Sequence, residues 1–147
     1  MLEKMVQEIP GKIKLLHPDA KVPTYNDEYA AGCDIYSIED YEFQPGETHK
    51  IGTGIAIEIQ SGKVLLLWDR SGMGSKGIPR YAGVIDSNYR GEIKVVLHNS
   101  TDKPYKVSKG DKIVQGICQD YYRVMWEVAT ELSDTVRGDS GFGSSGK

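Results

Sequence analysis

Uninterrupted helix-length stretches are what this sequence has least of. Seventeen glycines and six prolines punctuate it so often that the longest runs free of both before residue 117 are 33–44 and 92–103. Long helices are excluded there. Cysteine is scarce: Cys33 and Cys118 lie far apart, which fits reduced, buried thiols better than a disulfide framework. His17, His49 and His98 stand in unrelated contexts, so no zinc-ligand spacing exists. No apolar run approaches the roughly 20 residues of a membrane span. The start, MLEKMVQEIPGK, lacks the apolar core of a secretory signal. The expectation is a soluble, intracellular, cytoplasmic protein with no membrane partner. Excess positive charge is missing too: a net charge of −3 argues against a broad nucleic-acid face and leaves room only for a local anion site.

What is present suits one domain of 147 residues. Short β-type runs lie between the breaks: KIKLLH (12–17), IGTGIAIEI (51–59), KVLLLWDR (63–70), EIKVVLHN (92–99) and KIVQGIC (112–118). Ile55, Ile57 and Ile59 alternate with Ala56 and Glu58, the period of a half-buried strand. The run YYRVMWEVATEL (121–132) fits a strand through Val124, Trp126 and Val128, and a helix through Val124, Val128 and Leu132; consistency with the rest favours the strand. The class is all-β, sandwich or barrel-like. Only the ending, RGDSGFGSSGK (137–147), is low in complexity.

The chemically suggestive residues fall in five stretches, each beside a glycine. AGCDIYS carries Asp34, which could equally serve a turn. In WDRSGMGSKGI, Arg70, Ser71 and Lys76 interleave with Gly72, Gly74 and Gly77. A guanidinium, a hydroxyl and exposed N–H groups can cradle a phosphate, although a solvated loop reads the same way. AGVIDSNYRGEI places Asp86 at the end of an apolar strand, and its Ser87-Asn88 turn predicts a hairpin into the strand that follows. A carboxylate at such a rim can activate water, and Tyr89 can offer a flat ring to a sugar or base. KGDKIVQGIC sets Gln115 inside a strand-like run. The ending holds both Arg137-Gly138-Asp139, an adhesion tripeptide, and most of a P-loop; nothing signals export for the first, and the second lacks a Ser or Thr after Lys147 and a following helix.

Together and in this order, the five stretches resemble the motifs of the trimeric dUTP pyrophosphatase (dUTPase) family, spanning 31–146. The resemblance implies a distorted β-barrel or jelly-roll-like domain over 1–136, and a flexible Gly-rich arm over 137–147 that closes over the active site. It implies hydrolysis of dUTP to dUMP and pyrophosphate, which would limit uracil in DNA and supply dUMP for dTTP synthesis. It further implies Mg²⁺ as cofactor and a homotrimer with sites between subunits. By the same carry-over Asp86 is the catalytic base, and Asp34 holds the metal's waters. Arg70, Ser71, Gly72, Gln115 and Arg137 hold phosphate oxygens. Tyr89 packs against C2′, and backbone groups around Gly83 and from Asn88 to Lys94 read uracil. Phe142 stacks on the base, while Gly143, Ser144 and Ser145 reach the phosphates. The chain departs from the pattern at Asp69, where proline is usual, at Arg80, where some members carry a uracil-reading asparagine, at Gly116 for a common leucine and at Ser140 for a common glycine. A dCTP deaminase shares the fold and a version of the third motif, and a dUTPase-like regulatory or binding protein is the non-enzymatic alternative.

Overall fold

The structure is a computed structural model that describes residues 6–144 and 146. Among these residues, eleven strands and one helical turn follow in order: β1 (Lys12–Leu15), β2 (Cys33–Tyr36), β3 (Tyr41–Phe43), β4 (Thr48–Gly52), β5 (Ile55–Glu58), β6 (Lys63–Trp68), α1 (Ser71–Gly74), β7 (Arg80–Tyr81), β8 (Val84–Asp86), β9 (Lys94–His98), β10 (Tyr105–Val107) and β11 (Lys112–Asp120). They form a four-stranded sheet ordered β2-β11-β6-β8, a three-stranded sheet β4-β9-β7, and the pairs β1-β5 and β3-β10. The ladders wrap one core without closing into a continuous barrel, which bears out the all-β, distorted reading.

Alternation puts the core where it is. Val95 and Leu97 on β9 are buried, with Ile93 just before them, while Lys94 faces outward. Ile51 on the neighbouring β4 and Phe43, Ile35, Ile55, Val107 and Val114 from the other sheets complete this core. Each such side chain stabilises the fold by about 1.5 to 3 kcal/mol relative to exposure. Cys33 and Cys118 are both free thiols, and burial pushes the Cys33 thiol up. Gly116 lies opposite Cys33, and a Cβ there would meet the Leu65 and Ile35 side chains at 3.1 and 3.3 Å, so the volume of the family's common leucine is already filled.

Three expectations are corrected. The run 51–59 is not one strand: Gly54, at φ +69°, turns the chain between β4 and β5. The strand expected over 121–132 is absent. Asp120 pairs with Lys63, the first residue of β6, so the ladder has no partner beyond it, and Val124, Trp126, Val128 and Leu132 stand exposed. A strand without a neighbour leaves its backbone groups unpaired. The third correction concerns the hairpin. β8 pairs with β6, whereas β9 pairs with β4 and β7, so β8 and β9 belong to different sheets. The Tyr89 N–H to Asp86 carbonyl bond, 3.1 Å, closes their turn, and the Arg90 guanidinium donates across it to the Ser87 carbonyl at 2.7 Å. The cause lies in the core: Ile93 is fully buried and its N–H donates to Ile55 at 2.8 Å, which draws the chain leading into β9 inward, away from β8.

Candidate active site

The splayed strands leave a cleft of about 310 Å³, the low end for small-molecule sites, lined by Val84, Ile85 and Asp86 on one wall and Ile93, Lys94 and Val96 on the other. β7 covers β9 only opposite Val96 and Leu97, so the edge toward Lys94 faces the cleft with its backbone groups unpaired in the ladder. Those groups can read a planar base. Tyr89 closes one end. Its hydroxyl donates to the Glu92 carbonyl at 2.8 Å, and its ring folds over Gly91, where a Cβ would come within 2.5 Å of the hydroxyl. A larger residue there would have to displace the Tyr89 ring. The Asp86 carboxylate is exposed and makes no ion pair or side-chain hydrogen bond among the described residues, which leaves both oxygens for water. Gly83 and Asn88 sit just outside the lining; the Gly83 carbonyl accepts the Leu67 N–H at 2.8 Å. Lys50, reaching the cleft from β4, is a lining residue that the sequence did not reveal.

A second cluster forms where β2, β11 and the end of β6 lie side by side. Asp34, Gln115 and Trp68 occupy one row of the sheet. Arg70, the residue preceding α1, donates from Nε to Asp34 Oδ1 at 3.1 Å, and Lys112 Nζ lies 3.4 Å from Asp34 Oδ2. The Gln115 amide donates to the Asp69 carbonyl at 2.9 Å. Ser71 and Gly72 open α1, so their N–H groups have no acceptor within the turn, and nothing lies within 4 Å of a Cβ built on Gly72. A guanidinium, an amide and free N–H groups facing open space suit phosphate oxygens. Two of the four departures from the family pattern pair with each other: Arg80 lies 3.3 Å from Asp69 and over the Trp68 ring at 5.1 Å. Arg80 is absent from the cleft lining and cannot stand in for an amide that reads uracil.

The tail is a third group. Arg137 Nε donates to the Ser140 carbonyl at 2.9 Å and Ser144 N–H to Gly141 at 3.1 Å, while Phe142, at φ +53°, is fully exposed. Every hydrogen bond of residues 137–144 among the described residues stays within the C-terminal segment. Arg137, Phe142, Gly143 and Ser144 therefore touch neither cluster, and Ser145 lies outside the described residues.

The two clusters are far apart. Asp86 pairs with Val64 near the start of β6, and Asp34 lies in the row of Trp68 at its end. Four residues along β6 and three strand spacings across the sheet set the Cα atoms of Asp34 and Asp86 roughly 20 Å apart.

The dUTPase family model matches residues 18–146. The chain belongs to the dUTPase family. It is 44% identical over 139 residues to the deoxyuridine 5'-triphosphate nucleotidohydrolase of Nautilia profundicola, covering 92% of this chain and 98% of that one. It is 42% identical over 135 residues to that of Paramecium bursaria Chlorella virus 1, covering 91% and 96%. Among solved structures, a Staphylococcus bacteriophage 80alpha dUTPase with dUpNHpp superposes with a TM-score of 0.87 at 29% identity, covering 94% of this chain and 99% of that one. A dUTPase from phage phi11 of S. aureus, described with a structural Mg(II) ion, superposes at 0.79 with 25% identity, covering 86% and 100%.

Proposed function

We propose that this dUTPase-family chain hydrolyses dUTP to dUMP and pyrophosphate, with Asp86 as general base. The observation that carries the reading is the open-edged cleft with an unengaged carboxylate at its Tyr89 end. Uracil lies between β8 and β9 and pairs with their backbone groups. The deoxyribose packs on Tyr89, which brings the α-phosphate to Asp86. Asp86 orients a water and takes its proton as the new oxygen–phosphorus bond forms; the bond to the bridging oxygen breaks and pyrophosphate leaves. Arg70, Ser71, Gly72 and Gln115 hold the phosphate oxygens, a positioning contribution.

Among the described residues no group of three His, Cys, Asp or Glu could hold a metal by itself. Asp34 nevertheless fits an outer-shell role: a carboxylate has about four lone-pair sites, and Arg70 and Lys112 take two of them. Mg²⁺ carried by the triphosphate, its waters held by Asp34, would offset phosphate charge.

A carboxylate that holds such waters and one that activates the attacking water must stand within several Å of one phosphate chain, since Mg–O distances are about 2.1 Å. The roughly 20 Å between Asp34 and Asp86 within one chain supports a site shared between copies, as in a homotrimer, with Asp86 from one subunit and Arg70 from another. The exposed arm from Tyr121 onward, and the tail with Arg137 and Phe142, then have a neighbour to cover.

Incubation with dUTP and, separately, dCTP in the presence of Mg²⁺ tests the reading. Pyrophosphate from dUTP is expected, with no ammonia from dCTP. Ammonia release would indicate the deaminase, and silence on both a binding protein. Tyr89→Ala should raise turnover of UTP relative to dUTP by tenfold or more, because the ring that leaves no space for a 2′-hydroxyl is gone. An unchanged UTP/dUTP ratio in a folded variant refutes the sugar sieve.

A further inference from the structure

In β11 the register shifts between Lys112 and Val114. Val114, Gln115 and Gly116 pair with Ile35, Asp34 and Cys33, yet Lys112 rather than Ile113 pairs with Tyr36. The extra residue is a β-bulge, and two consecutive residues, Ile113 and Val114, turn into the core at 1% and 0% exposure. A regular strand would put Lys112 and Gln115, three apart, on opposite faces. The bulge brings both to the face of Asp34, which is what bulges beside active sites do to a side chain. The lysine then meets Asp34 Oδ2 at 3.4 Å, and its carbonyl accepts Arg70 Nη1 at 3.4 Å.

We infer that Lys112 is a positioning residue for the phosphate-binding half of the site, fixing the Asp34 carboxylate by its ammonium and the Arg70 guanidinium by its carbonyl. The inference rests on the proposed dUTP hydrolysis. Asp34 with one cation would be a neutral pair; with Arg70 and Lys112 the trio carries one positive charge, the sign a triphosphate requires. Arg70 spends Nε on Asp34 and Nη1 on the Lys112 carbonyl, so Nη2 remains free for a phosphate without rearrangement. With Nη2 on a phosphate and Nε still on Asp34 Oδ1, Lys112 holds Oδ2, and the carboxylate keeps the orientation needed to accept from water. Neither contact reaches the reacting atoms, so Lys112 acts through its two neighbours.

The test is a double-mutant cycle between Lys112→Met and Asp34→Asn, read as kcat/KM for dUTP and as affinity for dUpNHpp by calorimetry with and without Mg²⁺. Lys112→Met should lower kcat/KM about tenfold and weaken dUpNHpp binding more with Mg²⁺ than without it. Lys112→Arg should restore both to within about twofold, and Lys112→Met should have little further effect once Asp34→Asn is present. If Lys112→Met does not fold, Lys112→Gln goes through the same cycle. Effects that multiply independently in the double mutant, a kcat/KM within twofold of the parent, or no rescue by arginine would each overturn the inference. A parent protein that binds dUpNHpp but releases no pyrophosphate from dUTP would instead defeat the hydrolysis reading, and the calorimetric cycle would still decide the role of Lys112.

Discussion

Asp86→Asn protein is expected to release pyrophosphate from dUTP 10² to 10⁴ times more slowly than the parent, roughly 3 to 5 kcal/mol in the barrier, while binding dUpNHpp nearly as well. The substitution is nearly isosteric and removes a charge that no cation balances among the described residues, so no buried partner is orphaned. The backbone that forms the cleft depends on the β8–β6 pairing and on Ile93 in the core, neither of which involves the Asp86 side chain. An amide can still accept a hydrogen bond from water but cannot take its proton. Single-turnover pyrophosphate release beside calorimetric titration separates the two effects. Parent-like turnover would remove Asp86 from the role of base, and lost affinity with intact chemistry would make it a binding residue.

What the sequence disclosed follows the range over which its patterns act. Strand periodicity is local, so EIKVVLHN read correctly as a strand, and the structure turns its Val95 and Leu97 inward. The composition of WDRSGMGSKGI was also local, and the structure sets Arg70 beside Asp34 and Asp69 beside Gln115, with Ser71 and Gly72 next in the chain, because β2, β11 and β6 are neighbours. The hairpin misread has a long-range cause: the turn chemistry of Ser87-Asn88 is real, but the pull of Ile93 toward Ile55 that separates the two strands cannot be seen in the turn. Lys112 was invisible because its spacing from Gln115 is wrong for a regular strand and only the bulge corrects it. Lys50 enters the cleft from a strand far away in sequence. Asp69 and Arg80 looked like two unrelated departures until their 3.3 Å contact made them one. The run 121–132 fits a strand pattern as well as a helix, yet Trp126 is 86% exposed and no partner edge is present among the described residues. The proposed division of the site between copies would give this run a neighbour to cover.

The second large effect follows from that division, and its measurement tests the central claim most directly: one site is built from more than one copy. Arg70→Gln and Asp86→Asn proteins should each be inactive alone, one without the phosphate clamp and the other without the base. They are co-refolded, and mixed assemblies are identified by native mass spectrometry before dUTP hydrolysis is measured. If Asp86 of one subunit works with Arg70 of another, the Arg70→Gln subunit supplies an intact base, the Asp86→Asn subunit supplies an intact clamp, and complete sites exist in the mixture. Activity should rise from background to a substantial fraction of the parent's, at least tenfold above either variant alone. If both residues serve one chain's own site, every site in the mixture lacks one of them. Mixed assemblies confirmed by mass and showing no dUTP hydrolysis above the separate variants would contradict the account.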